Sequence, residues 1–259
     1  MTMEVLKIGS KGYFVKILQG LLGATIDGVF GKITESLVKK FQADNKLTSD
    51  GVVGNKTWEK LGFIFKPLSV HVTQLQNRPI KYLAIHFTGG SNSKPGRAQA
   101  TYNTFTSSKA SADFCVDDME IVQFNPDIKN YYCWAVGDKK YNNTRGGTLY
   151  GKATNKNTIS IEICSTCIPP TKTAVNTPNH EGWLFTESSL KNALKLARIL
   201  MKIYNIPLEN VVRHYDISGK LCPGVIGWNK ETLYDVETGK PLSTKNTEDK
   251  WIEFKNKLK

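Results

Sequence analysis

Ile80-Lys81-Tyr82-Leu83-Ala84-Ile85-His86-Phe87-Thr88 is an apolar run that stops at Gly89-Gly90. It reads as a strand that ends in a loop, with a histidine at its end. Thr158-Ile159-Ser160-Ile161-Glu162-Ile163-Cys164 has β-branched alternation and reads as a second strand. Between them, Phe114 to Phe124 has the pattern of a hairpin with its turn at Asp117-Asp118. Further along, Leu190, Leu194, Leu196, Ala197, Leu200 and Met201 form one apolar stripe, and Thr186 stands where a helix cap belongs. Thr186 to Tyr204 is therefore expected to be a helix. Strand, hairpin, strand and helix in that order predict an α/β fold built on a mixed sheet. Residues 137 to 157 and 165 to 183 are rich in Gly, Asn, Lys, Thr and Pro and are expected to be long loops.

Residues 4 to 63 have a different character. Val15, Leu18, Leu21 and Leu22 fall at helical spacing, as do Thr34, Leu37, Val38 and Phe41, and Trp58 and Leu61 belong to a third short helix. Two similar turns separate them, Asp27-Gly28-Val29-Phe30-Gly31 and Asp50-Gly51-Val52-Val53-Gly54, each followed by a threonine, Thr34 or Thr57. This is an internal repeat in which Asp-Gly makes the turn and the threonine is expected to cap the next helix. Residues 64 to 80, broken by Pro67 and Pro79, are expected to be a linker. The expected division is a three-helix all-α domain over residues 1–65 and an α/β domain over 66–259. Trp251, Phe254 and Leu258 predict a docking helix near the C-terminus.

The chain has 259 residues, 40% of them hydrophobic, which allows a packed core and excludes wholesale disorder. Its formal charge of +12 concerns partners rather than fold. The lysines are scattered, without a dense arginine run or an aromatic-interleaved basic stripe, so nucleic acid is not the expected partner. Cys115, Cys133, Cys164, Cys167 and Cys222 are an odd set spread along the chain, which is no secreted disulfide framework. No stretch approaches the roughly 18 apolar residues of a membrane span. Residues 1–7 do not form a signal peptide, so the expectation is a protein that does not export itself. A monomer is the default for this size.

Of four histidines, two stand where strands should meet loops: His86, and His214 after Val211-Val212-Arg213. His214 and Cys222 are eight positions apart on what reads as one loop, and Gly219 with Pro223-Gly224 supplies bending. Two imidazoles, one thiolate and an open fourth position suit a catalytic zinc ion. Each piece alone has an ordinary reading: a strand-end histidine is often structural, and a lone cysteine is often a small buried hydrophobe. Cys164-Ser165-Thr166-Cys167 is a CxxC without a partner pair elsewhere, and incidental thiols or a local disulfide are its ordinary readings. His71 and His180 receive no role.

Two family resemblances rest on these residues. Leu18-Gln19, the Asp27 to Gly31 turn with Thr34, Phe41-Gln42, and the Asp50 to Gly54 turn with Thr57-Trp58 resemble the peptidoglycan-binding-domain-1 family over nearly all of 4 to 63. The resemblance implies a three-helix wall-binding module without catalysis of its own. Residues 80 to 228 resemble the type-2 amidases, a family that includes the peptidoglycan recognition proteins. The landmarks are Ile85-His86-Phe87-Thr88, Ser111 to Asp117, Asn157 to Glu162, and His214-Tyr215-Asp216 through Lys220-Leu221-Cys222-Pro223-Gly224.

That second resemblance implies a mixed sheet flanked by helices, zinc held by His86, His214 and Cys222, and peptidoglycan as substrate. The reaction would be hydrolysis of the bond between N-acetylmuramic acid and L-alanine. By residue type, Glu162 would be the general base and Lys220 would stabilise the oxyanion beside the metal. The residues depart from the family pattern at Ala112-Asp113, where a tyrosine and a histidine are common, and at Trp134-Ala135-Val136-Gly137, where Trp-His-Ala-Gly is common. A non-catalytic peptidoglycan recognition protein, a zinc peptidase acting on a cross-link, and a nucleic-acid binder are the alternatives. The pairing of the two modules implies an endolysin or autolysin. The endolysin version waits in the host cytoplasm and acts on the wall once the membrane is opened.

Overall fold

A computed structural model describes residues 3–90, 92, 94–168, 180–224, 231–232, 234–235, 237–242 and 248–259. The N-terminal part is helical: α1 (Tyr13–Leu22), α2 (Lys32–Asp44) and α3 (Asn55–Leu61). The repeat seen in the sequence is built around two buried glutamines. Gln19 accepts from the Gly28 amide (2.8 Å) and donates to Asp27 Oδ1 (2.6 Å), the Val29 carbonyl (3.1 Å) and Thr34 Oγ1 (3.2 Å). Gln42 repeats the set with Gly51 (2.9 Å), Asp50 (2.8 Å), Val52 (2.9 Å) and Thr57 (3.3 Å). A buried amide is costly unless its donors and acceptor are used, and here they are. The expected threonine caps are corrected. Gly31 and Gly54 hold the cap positions, and no side chain caps either helix. Thr34 and Thr57 lie one turn inside, where they face the buried glutamines.

Six strands form the central sheet in the order β1-β5-β4-β7-β3-β10. They are β1 (Phe63–Phe65), β5 (Ile121–Gln123), β4 (Phe114–Val116), β7 (Thr158–Ile163), β3 (Tyr82–Phe87) and β10 (Val211–Arg213). Only β4 and β5, the hairpin, run antiparallel; the other neighbours are parallel. The fold is thus mixed α/β with a helical N-terminal region. The linker expectation is corrected, because β1 starts directly after α3 and pairs with β5 from Phe63↔Ile121 to Phe65↔Gln123. In the same stretch β2 (Val72–Gln74) pairs antiparallel with β6 (Tyr131–Cys133). A three-residue apolar segment has no period of its own, so its partner strand determines what it becomes.

The sheet has two different faces. Leu83, Ile85, Phe114, Ile159, Ile161 and Ile163 are fully buried on one of them. α5 (Glu187–Tyr204) covers that face, capped by Thr186, whose side chain accepts from the Ser189 amide. α7 (Glu248–Asn256) adds Trp251 and Phe254 to the same core, as its apolar spacing predicts. So do Val15, Ile17 and Leu18 of α1, and Trp58 of α3. The helical unit and the sheet therefore share one continuous core. Tyr13 donates to Gln123 (2.9 Å), Phe14 meets Phe65 edge-on, and Gly20 lets α1 lie against Ile199 of α5. The opposite face carries Ala84, His86, Ser160 and Glu162, and loop residues Val136 and Ala153 pack beside them. Part of the expected loop 165 to 183, residues 169–179, lies outside the described residues. Its ends form β8 (Thr166–Cys167) and β9 (Trp183–Leu184), an antiparallel pair.

Candidate active site

His86 is the penultimate residue of β3, and its register partner on β7 is Glu162. Alternation along each strand places both side chains on the face away from the Ile-rich core. On the other side of β3, β10 leads into α6 (His214–Ser218), so His214 opens a five-residue helix. The single loop expected between His214 and Cys222 is corrected accordingly. Gly219, at φ 82°, ends that helix. The chain then folds back until the Tyr215 amide donates to the Cys222 carbonyl (2.9 Å). The Cys222-Pro223 peptide bond is cis.

The result is a compact cluster. One ligand atom from each of His86, His214 and Cys222 lies within 4.8 Å of the others, and all three residues are buried. Cys222 Sγ is 3.7 Å from His86 Nδ1, and the two imidazole centroids are 4.7 Å apart. Glu162 Oε1 lies 3.9 Å from His86 Nδ1, and its side chain is 17% exposed. Lys220 is exposed on the chain between His214 and Cys222. Its charge is nonetheless felt at His86, Glu162, His214 and Cys222.

Burial dominates the electrostatics. It holds His86 well below the usual histidine range and, with Lys220 adding to it, pushes His214 down to about 3. It raises Cys222 to about 12, helped by Glu162, and Glu162 to about 8, against the pull of Lys220. At neutral pH the cluster therefore consists of two neutral imidazoles, a thiol and a carboxylic acid. His86 Nε2, His214 Nδ1 and Glu162 Oε2 are buried and have no hydrogen-bond partner among the described residues. His214 Nε2 faces the Val136 carbonyl at 3.0 Å. A carbonyl only accepts, so that nitrogen carries the proton and Nδ1 keeps its lone pair. Orphaned buried nitrogens, convergent donor atoms and a His/His/Cys set fit a zinc ion bound through three protein ligands.

Arg78 and Asn155 have no signature in the sequence, and Asp113 stands there only as a departure from the family pattern. Arg78 and Asp113 form a fully buried ion pair at 3.1 Å. Arg78 also donates to the carbonyls of Tyr131, Asn155, Lys156 and Thr158, while Asp113 accepts from Ser160 and Asn125. Asn155 joins this network to the Val136 segment. An Arg-Asp pair 35 residues apart has no sequence signature, and only the fold shows that it is enclosed. Cys115, Cys133, Cys164 and Cys222 carry free thiols, so no disulfide joins Cys164 to Cys167. Cys164 faces Cys115, sulfur to sulfur 3.7 Å, whereas Cys167 packs with Trp183. Positions three apart across a strand break point different ways, which corrects the local-disulfide reading of the CxxC. His71 Nδ1 contacts the Phe105 carbonyl at 2.7 Å, away from the cluster, and His180 is buried.

The candidate metal centre thus takes His86 from a parallel strand of a mixed sheet, His214 from the short helix after β10 and Cys222 from the chain that folds back behind it. A family model for N-acetylmuramoyl-L-alanine amidase matches residues 76–225, and one for a peptidoglycan binding domain matches residues 12–61. The chain belongs to the N-acetylmuramoyl-L-alanine amidase family. It is 32% identical over 143 residues to the N-acetylmuramoyl-L-alanine amidase CwlH of Bacillus subtilis (strain 168), covering 55% of this chain and 46% of CwlH. To CwlA of the same organism it is 27% identical over 143 residues, covering 55% of this chain and 43% of CwlA. The matched stretch thus spans less than half the length of these relatives. Among solved structures it is similar to a mutant endolysin from Bacillus subtilis, at 26% identity and a TM-score of 0.46. That similarity covers 76% of this chain and 98% of the other. Among the described residues, no helix is long and apolar enough to cross a membrane.

Proposed function

We propose that this protein is a zinc-dependent amidase that cleaves the bond between N-acetylmuramic acid and L-alanine in peptidoglycan. The observation that carries the reading is the convergence of His86, His214 and Cys222 beside Glu162, in a chain of the amidase family. His86, His214 and Cys222 would hold a zinc ion, which would supply Lewis acidity for the hydrolysis. Glu162 takes the proton of the attacking water and returns it to the departing alanine nitrogen. Burial raises Glu162 to about 8 even with Lys220 beside it, and the charge of a zinc ion held at the site would pull it toward the ionised form a base requires. Lys220 stabilises the negative charge developing on the carbonyl oxygen. The match over residues 12–61 supports a wall-binding role for the helical unit. The setting we propose is an endolysin, held in the cytoplasm until the membrane is opened; export through an intact membrane in the native producer would argue against it.

The test is release of free alanine amine, as against new reducing sugar, from purified peptidoglycan, with and without a chelator. Glu162→Ala and Cys222→Ala run beside the wild type. Amine release that the chelator and both substitutions abolish supports the reading. Wall binding without amine release would replace it with a recognition protein that does not cut.

A further inference from the structure

We infer that Asn155 is a positioning residue for the metal centre, acting on His214 through the carbonyl of Val136. The inference rests on the metal reading above and adds a residue from a segment far from any ligand. Asn155 Oδ1 accepts from two consecutive amides, Ala135 N at 3.0 Å and Val136 N at 2.8 Å. Those bonds clamp the peptide whose next carbonyl, that of Val136, accepts from His214 Nε2 at 3.0 Å. Asn155 is itself held from behind, because its carbonyl accepts from Arg78 at 3.1 Å and Arg78 is locked by the buried Asp113. Ala153, two residues earlier, packs with Val136 in the same small apolar cluster. The connection runs from the buried ion pair through Asn155 and Val136 to His214.

The physical consequence concerns the tautomer. A metal-binding histidine needs its second nitrogen to donate elsewhere, which fixes both the ring orientation and the free lone pair. Here the acceptor is a backbone carbonyl in a loop outside the strands, and the Asn155 side chain takes the Ala135 and Val136 amides and so sets the tilt of that peptide. Asn155 contributes no ligand atom to the cluster, so its effect on the metal travels through the His214 ring.

The experiment measures zinc affinity by competition with a chromophoric chelator for wild type, Asn155→Ala and Asn155→Asp. The tautomer of His214 in the metal-free proteins is read by long-range proton–nitrogen correlation. Asn155→Asp keeps the acceptor oxygen. Asn192→Ala, which removes a bond to the Asp117 carbonyl on the other side of the sheet, serves as the stability control. Asn155→Ala is expected to weaken zinc binding by roughly 10- to 100-fold, the range for lost outer-shell partners, and to lose the Nε2–H signature. Asn155→Asp and Asn192→Ala are expected to keep both properties. Should Asn155→Ala not fold, Asn155→Ser, too short to span both amides, takes its place. Unchanged zinc affinity or an unchanged tautomer in the variant overturns the inference while leaving the metal reading intact. A wild type that takes up no zinc overturns the metal reading, and the inference falls with it.

Discussion

His86 and Glu162 are register partners on adjacent parallel strands, and His86 Nδ1 stands 3.9 Å from Glu162 Oε1. Because strand alternation is strict, the pairing that buries Ile85, Ile161 and Ile163 on one face brings these two together on the other. A metal ligand and the proposed base are thus positioned by the same register that packs the core.

That relationship separates two functions in one pair. Glu162→Gln keeps the shape but cannot take a proton. It is expected to lower amide hydrolysis by roughly 10²- to 10⁴-fold, the span of general-base contributions, while zinc content stays at the wild-type level. Metal analysis of the purified variant alongside the amine-release assay checks it. Loss of zinc together with activity would make Glu162 part of the metal site instead.

Cys222 is a thiol at neutral pH, because burial raises it to about 12, whereas both histidines are already neutral. Zinc takes a thiolate. Uptake at pH 7 is therefore expected to release about one proton from Cys222, with a further contribution from Glu162. Titration calorimetry in buffers of different ionisation enthalpy measures this number. Cys222→Ala should remove most of the release, and a wild-type value near zero would mean the thiol is not a ligand.

The pH dependence of the metal-free protein follows from the same groups. His86 and His214 are depressed below the ordinary histidine value of 6.5, so the unfolded chain binds more protons than the folded one, and stability rises as pH climbs toward 6.5. Glu162 is raised from 4.5 to about 8, so the folded chain binds more protons in that window and stability falls as pH rises through it. The two histidines outweigh one carboxyl up to 6.5, and above it the carboxyl acts alone as far as about pH 8. Thermal unfolding in chelator should show the contribution of these groups peaking near pH 6.5. In Glu162→Gln the decline between 6.5 and 8 should vanish; its persistence would place the titrating group elsewhere.

Gly20 tests whether the helical unit and the sheet form one body. A Cβ there would sit 2.5 Å from Ile199 Cγ1, inside a buried contact. Helix propensity favours Gly20→Ala by about 1 kcal/mol, while overpacking costs about 1–3 kcal/mol. A net loss of stability is the expected outcome in denaturant unfolding, and it should disappear when Gly20→Ala is made in an Ile199→Ala background. Stabilisation by Gly20→Ala alone would mean that α1 and α5 are not pressed together.

Much of the fold was legible. The helix from Thr186 was readable from its cap and stripe, the hairpin from its turn, and the strands around His86 and Glu162 from their alternation. The repeat was visible too, but its purpose was misread. Thr34 and Thr57 looked like caps because caps are judged from local chemistry, and the buried glutamines they serve lie 15 residues upstream. Phe63 to Phe65 looked like the start of a linker because a strand that short is defined only by its partner. Residue types for a metal site could be read from His86, His214 and Cys222, whereas Arg78 and Asn155 had nothing local to mark them.

By itself the sequence determined what depends on neighbours along the chain: period, turns, a helix cap, and the presence of two imidazoles and a thiol near strand ends. Only the tertiary structure decided which ring nitrogen of His214 carries its proton and that Glu162 is held protonated beside His86. It also decided that α1 shares a core with the sheet. Those properties arise from burial and from pairings between remote segments. A side chain's charge and tautomer are set by what surrounds it in space, which no local pattern records.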